Sequence, residues 1–341
     1  MRLNKNIKIF VNYFLGPFLF IWLSWSIYRQ IRDQHDLSSS WLHIRQAFHS
    51  TKIWNLVVVL LLMVVNWGVE AYKWKLAVEP VQPVSLLRAY KAILSGVSFS
   101  VSTPNRVGEY FGRVLYMDEG NRLRTISLTI VCGMSQLIIT LAAGIAALIV
   151  LKQKLVTGIR TGDIDVSFWI KMLEYGSVII LIFLTLLYFR LSLVTRLFTA
   201  LPFIKKYQFL VTELKGIDAT LLIRLMSLSA IRYAVFSLQY FLLFSLFGVN
   251  IGWINAFWAV SLVFLILALV PSFAIAELGL RGEVGWQVLQ IFSANAFGIF
   301  WATATIWIIN LIVPAVAGSL LILSIKIFKN RNERDKDSGN P

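Results

Sequence analysis

The chain has 341 residues, of which 58% are hydrophobic and only 14% charged, with a formal net charge of +15. That composition excludes a soluble globular domain, and the uninterrupted apolar runs exclude a transmembrane barrel, whose short strands alternate apolar and polar residues. The basic residues flank the apolar runs, so the charge is assigned to membrane orientation and attraction of anionic headgroups, and not to nucleic acid.

Residues 1–12 carry Arg2, Lys5 and Lys8 and form an expected cytoplasmic tail. The first span is predicted at 11–28, with Trp22, Trp25 and Tyr28 anchoring its far end. It has no small-residue cleavage site and is read as a span, not a signal peptide. A polar stretch follows to 52, with a surface helix expected at about 38–50. His35, His43 and His49 fall here, without the one-turn spacing of a metal-ligand pair. The second span is predicted at 53–72, with Glu70 interfacial among Trp67, Tyr72 and Trp74, and with Lys73 and Lys75 beyond its cytoplasmic end.

An apolar run from Val84 to Val101 then breaks at Thr103-Pro104-Asn105-Arg106-Val107-Gly108-Glu109, followed by Gly112 and Arg113. Lipid solvates neither free backbone groups nor charge, so this stretch must face protein or water. It begins and ends among basic residues, which predicts a re-entrant hairpin entering from the cytoplasm. Spans follow at 125–150 and 169–189, with Cys132 a small core residue of the first. The loop between them, 152–168, places Lys152, Lys154 and Arg160 on the outer side, against the charge rule. It also holds Asp163-Ile164-Asp165, an Asp-x-Asp pattern too short, and on the wrong side, to argue for a sugar-nucleotide enzyme.

The loop at 190–218, with Arg190, Arg196, Lys205, Lys206 and Lys215, is expected in the cytoplasm with a surface helix. The span at 219–248 contains Arg232, which either faces a cavity, snorkels, or pairs with a hairpin glutamate. Residues 254–270 run apolar to Pro271, and a polar arm returns to about 292 through Ala276-Glu277-Leu278-Gly279-Leu280-Arg281-Gly282-Glu283. This predicts a second hairpin, opening from the outside. The last span is predicted at 298–325, and Lys326, Lys329, Arg331, Arg334 and Lys336 mark a cytoplasmic tail. Gln136, Gln239 and Asn310 are expected to bond between helices.

The expected fold is therefore an all-α polytopic membrane protein. It has six crossings and two oppositely oriented re-entrant hairpins, eight apolar segments by hydropathy, with both termini in the cytoplasm. Residues 1–341 form one integral membrane domain with repeat-like halves at about 53–189 and 219–325. Opposed broken helices in corresponding halves are the mark of an inverted repeat built around a transport site.

The run Thr103 to Glu109, with Arg113 after it, resembles the first signature of the lysylphosphatidylglycerol synthase transmembrane family. The run Ala276 to Glu283 resembles its second, a Gly-Gly-Leu-Gly-x-Arg-Glu type of sequence. Here Ala276-Glu277 stands for the small pair, and Gly282 separates Arg281 from Glu283. The family includes the membrane half of the multiple peptide resistance factor, which flips aminoacylated phospholipids. The resemblance covers about 10–325 and implies a flippase-type domain; no aminoacyl-transferase domain is expected after it.

Glu109 and Arg113, like Glu277 and Arg281, stand four apart and share a helix face in the favourable order. In water such a pair contributes only about 0.3–0.5 kcal/mol. An unpaired charge at the bilayer centre costs roughly 2.5–3.5 kcal/mol on insertion scales, so pairing alone has a structural use. The functional reading makes Arg106, Arg113, Arg232 and Arg281 the grip on a lipid phosphate. Glu109, Glu277 and Glu283 balance the empty site, contact a cationic headgroup or take up a proton. Helices starting after Pro104 and Pro271 would aim N–H groups at an anion, and Gly108, Gly112, Gly279 and Gly282 allow close helix approach or mark turns.

The expected function is translocation of a polar lipid or lipid-linked headgroup across the cytoplasmic membrane, with membrane lipids as partners and no cofactor or metal. The chain shows no phosphate loop, nucleophile elbow or zinc cluster, so no enzyme is expected. The competing readings are a membrane-embedded transferase acting on a lipid carrier and a scaffold that binds an enzyme through the 190–218 loop. An oligomer is compatible with all three.

Overall fold

The computed structural model describes residues 52–101, 103, 106–158, 166–190, 217–269 and 274–323, with side chains omitted at 158, 166, 274–280 and 296–297. These residues form helices and turns, with no strand among them. The helices are α1 Ile53–Val78, α2 Leu86–Val101, α3 Gly108–Val114, α4 Arg122–Gly158, α5 Val166–Phe189, α6 Ala219–Leu246, α7 Trp253–Leu269, α8 Ala274–Leu289, α9 Ala296–Trp307 and α10 Val313–Leu323. A π-helical turn, Ile308–Ile312, joins the last two. The predicted first span at 11–28, the surface helix at 38–50, the three histidines, Asp163 to Asp165, most of the 190–218 loop, Pro104, Pro271 and the basic tail all lie outside the described residues.

Among the described residues, five helices are long and apolar enough to cross a membrane: Ile53–Val78, Arg122–Thr157, Ser167–Phe189, Ala219–Leu246 and Gly298–Leu323. They coincide with the second to sixth expected crossings, and the chain is an all-α, multi-pass membrane protein. Leu61 and Val64 on α1, and Ile179, Phe183 and Leu186 on α5, are exposed in the way lipid-facing side chains are.

Two apolar clusters organise the bundle. One gathers Trp74, Ile93, Val97, Leu128, Leu311 and Ala315 around α2. The other gathers Leu148, Phe244, Ala259, Leu262, Ile299 and Ile306 around α7. In the first, α2 folds back on α3, and α10 covers α2 from the other side. Missing side chains make both contacts close. A Cβ on Gly112 would overlap the backbone of Gly96, and one on Gly318 would overlap the Leu94 carbonyl. The π turn sits four residues ahead of a proline. Pro314 has no N–H to donate and its ring crowds the Asn310 carbonyl, so the helix widens by a residue at that point.

Three expectations change. The second crossing does not stop at 72: α1 runs to Val78, and Lys73 lies inside the protein. The 152–168 loop is shorter than expected, because α4 continues to Gly158, a length of about 55 Å at the standard helical rise. The basic residues that offended the charge rule there are partly compensated. Lys152 Nζ donates to Glu174 Oε2 on α5 at 2.7 Å, and Lys154 lies over the Phe292 ring. Lys152 is also well exposed, so this ion pair adds little stability.

Gly318→Leu should separate α10 from α2. We expect it to destabilise the purified protein by about 1–3 kcal/mol, the range for overpacking, read as lowered thermal or denaturant resistance in detergent. Gly176→Leu on α5, where a Cβ meets nothing within 4 Å, is the silent control.

Candidate functional site

Helix α1 is apolar along most of its length, yet Asn66, Glu70 and Lys73 follow one another at helical spacing on its buried side. Glu70 is 3% exposed, Lys73 1% and Arg113 of α3 2%. Buried charges of this kind persist only when paired. Glu70 supplies the pairing. Its Oε2 accepts from Lys73 Nζ at 2.7 Å and from Arg232 Nη1 of α6 at 3.0 Å, and its Oε1 accepts from Arg113 Nη2 at 3.0 Å. Arg113 Nη2 also bonds the Glu109 carboxylate one turn back on α3.

Neutral groups fix the cations further. Lys73 Nζ donates to Ser229 Oγ at 3.2 Å, and Ser229 and Ser135 share a hydrogen bond of 2.8 Å between their hydroxyls. Arg232 Nε donates to Asn66 Oδ1 at 3.0 Å, and Asn66 Nδ2 donates to Asn310 Oδ1 at 3.2 Å, on the π turn. The Arg232 guanidinium lies 4.9 Å from the centre of the Trp67 ring.

The cluster opens into a cavity of about 570 Å³. Its wall comprises Trp67, Glu70 and Lys73 of α1, Arg106, Glu109, Tyr110 and Arg113 of the first hairpin, Arg232 of α6, a stripe of α4 from Thr129 to Thr140, and Leu267 and Ala268 at the end of α7. Among the described residues, four cations thus face two carboxylates. Buried Arg113 Nε and Nη1 and Trp67 Nε1 find no acceptor among the described residues, and buried Gln136 Oε1 finds no donor among them. Arg106 sits in the break between α2 and α3 with φ of 57°, in the left-handed region. A glycine would hold that turn at less cost. Thr103 Oγ1 accepts from Gly108 N at 2.7 Å and closes the turn from its other side.

Of the residues singled out in the sequence, Arg106, Glu109, Arg113 and Arg232 come together here. Gly108 and Gly112 lie at the α2–α3 contact, where a Cβ would overlap backbone. The second motif is arranged differently. Arg281 Nη1 faces the Tyr240 hydroxyl at 3.5 Å and its guanidinium lies 5.8 Å from the Phe264 ring centre, while Glu283 is exposed and accepts from Gln287 Nε2. Neither lines this cavity. A Cβ on Gly282 would meet only the Phe300 ring at an ordinary distance. Glu277 and Gly279 belong to α8 by backbone, and their surroundings lie outside the described residues.

The reading of Glu70 as interfacial and of Lys73 as cytoplasmic is corrected: both are buried at the centre of the ion cluster. The signal was present as the Asn66, Glu70, Lys73 spacing, which puts three polar groups on one face of an apolar helix. Asn310 and Gln239 do bond between helices, Gln239 to the Val59 carbonyl. The Gln136 Oε1 has no donor among the described residues, and the residue lines the cavity.

A family model described as the lysylphosphatidylglycerol synthase TM region matches residues 14–328. No curated protein matches the chain.

Glu70→Gln leaves buried Lys73 and Arg113 and half-buried Arg232 without their shared carboxylate. We expect a loss of about 3–5 kcal/mol of stability, the cost of stripping one partner from a buried ion pair. Adding Lys73→Met should restore part of it, because one uncompensated charge is then removed. Thermal denaturation of the two variants in detergent checks both outcomes.

Proposed function

Because the chain belongs to the lysylphosphatidylglycerol synthase transmembrane family, we propose that it moves the headgroup of an anionic or lipid-linked membrane lipid between leaflets, through the cavity beside Arg113. The observation that carries this reading is a buried arginine at the cavity wall, two of whose donors find no acceptor among the described residues, where the described cations outnumber the described carboxylates. A phosphate meets that demand, since it brings several acceptors and negative charge to the same point. Trp67 Nε1 adds a third donor. The strained Arg106 fits the same role, an arginine kept where glycine would be easier.

The cavity is large enough for a headgroup and too small for acyl chains, which stay in lipid. The α2–α3 and α7–α8 hairpins are re-entrant and enter from opposite sides, and the halves at 53–189 and 219–325 rock against each other. The protein sits in the cytoplasmic membrane with both termini inside. It catalyses no covalent step.

Purified protein in liposomes with fluorescent anionic phospholipids should accelerate leaflet exchange, read by dithionite quenching. Arg113→Gln and Arg232→Gln should each slow it at least about tenfold, as expected for lost charge-assisted hydrogen bonds. Arg281→Ala should leave it within about twofold, a change under half a kcal/mol. No exchange by the wild-type protein, over a panel from phosphatidylglycerol to polyprenyl phosphates, would sink the proposal.

A further inference from the structure

Two carboxylates hold the Arg113 guanidinium, and they differ in kind. Both bond the same donor, Nη2. Glu70 is buried and takes Lys73 and Arg232 as well, so its release would strand three cations at once. Glu109 has one ion pair among the described residues, with Arg113, and its side chain is 28% exposed at the cavity wall. A Cβ on Gly96 would lie 3.3 Å from the Glu109 Cγ, so the lower side chain packs on α2 and only the carboxylate end has to turn for the pair to open. Arg113 itself is closed to a ligand while both carboxylates are in place. It is 2% exposed, and its Nε and Nη1 are buried atoms without acceptors among the described residues. An anion reaches this guanidinium only after a covering group leaves. Of the two carboxylates, the partly exposed one with a single ion pair leaves at the lower cost.

We propose that Glu109 is a movable lid on Arg113: its carboxylate fills the anion position when the cavity is empty, and the phosphate of the lipid headgroup displaces it. The inference rests on reading the cavity as a headgroup site. Charge is conserved in the swap, because a phosphodiester carries one negative charge, as the departing carboxylate does. A guanidinium donates two parallel hydrogen bonds to phosphate oxygens, which gives the incoming anion its advantage over a carboxylate held by Nη2 alone. Glu70 stays bound throughout and keeps α1, α3 and α6 together. Glu109 is therefore a competitor of the ligand. Removing its charge strengthens binding, the opposite of what the loss of a ligand contact or of a structural strut does.

The test is titration calorimetry of the full chain in an uncharged maltoside detergent with dihexanoyl phosphatidylglycerol. Glu109→Gln should bind this lipid about three- to tenfold tighter than the wild-type protein, the worth of the competing hydrogen bond. Glu79→Gln removes the same charge from an exposed position at the end of α1, away from the cavity, and should bind as the wild type does. In an Arg113→Gln background, where binding is weak, Glu109→Gln should add nothing, because the contested guanidinium is gone. Thermal denaturation should show Glu109→Gln far less impaired than Glu70→Gln. Unchanged or weakened binding in Glu109→Gln overturns the proposal. A gain of equal size in the Arg113→Gln background also overturns it, since the effect is then one of overall charge. So does a Glu109→Gln protein that does not fold, which makes Glu109 a strut. Failure of both the wild type and Glu109→Gln to bind overturns the headgroup reading together with the lid. Binding by the wild type with no gain in Glu109→Gln overturns the lid alone.

Discussion

The arrangement hangs on one carboxylate. Glu70 accepts from cations on three different helices, α1, α3 and α6. Each of those cations would be prohibitively expensive in the bundle alone, since the effective penalty of burying an ion is several kcal/mol. Sharing one anion among three partners offsets part of that cost and at the same time fixes where the helices meet. Such a cluster is a poor device for stability, because apolar residues of similar volume in its place are often neutral or better. Its persistence at the wall of a cavity is thus more naturally tied to what the cavity holds than to what keeps the bundle folded.

The surroundings serve to aim this cluster. The α2–α3 turn brings Arg113 against α1 with Gly96 and Gly112 where the two backbones meet, and α10 braces α2 with Gly318 at a point of close backbone approach. Pro314 widens the last crossing into a π turn, and the turn carries Asn310, which holds Asn66, which in turn orients Arg232. A proline on one crossing is in this way linked through two asparagines to the guanidinium of another. Widened turns of this kind recur at functional sites because they let one residue depart from the regular helical ladder.

Much of this was legible in the sequence. The crossings followed from hydropathy and length. The first hairpin announced itself because proline, glycines and charges interrupt an apolar run. Arg106, Glu109, Arg113 and Arg232 were nameable as charges at membrane depth. Glu70 and Lys73 escaped for a physical reason. A hydropathy reading ends a span at the first cluster of charge, whereas a helix whose charges neutralise one another continues; α1 runs on to Val78. The same reasoning ended α4 too early, at a lysine that finds Glu174. Arg281 and Glu283 were drawn in by likeness between motifs, and likeness of spacing does not fix where a helix face points.

That difference between the motifs has a consequence. Both hairpins carry a glutamate and an arginine four apart after a proline, yet the described wall takes its charges from α1, α6 and the first hairpin alone. From the second hairpin it takes Leu267 and Ala268. Arg281 is occupied instead beside Tyr240 and Phe264, in the aromatic cluster between α6 and α7. A charged wall holds a ligand tightly, because moving it means breaking desolvated ion pairs. An apolar wall of small contact area slides at little cost, since no hydrogen bond is exchanged. Under the proposed headgroup role, a cavity whose described walls are of these two kinds would separate grip from movement, with the first hairpin, tied to Glu70 through Arg113, as the part expected to hold still.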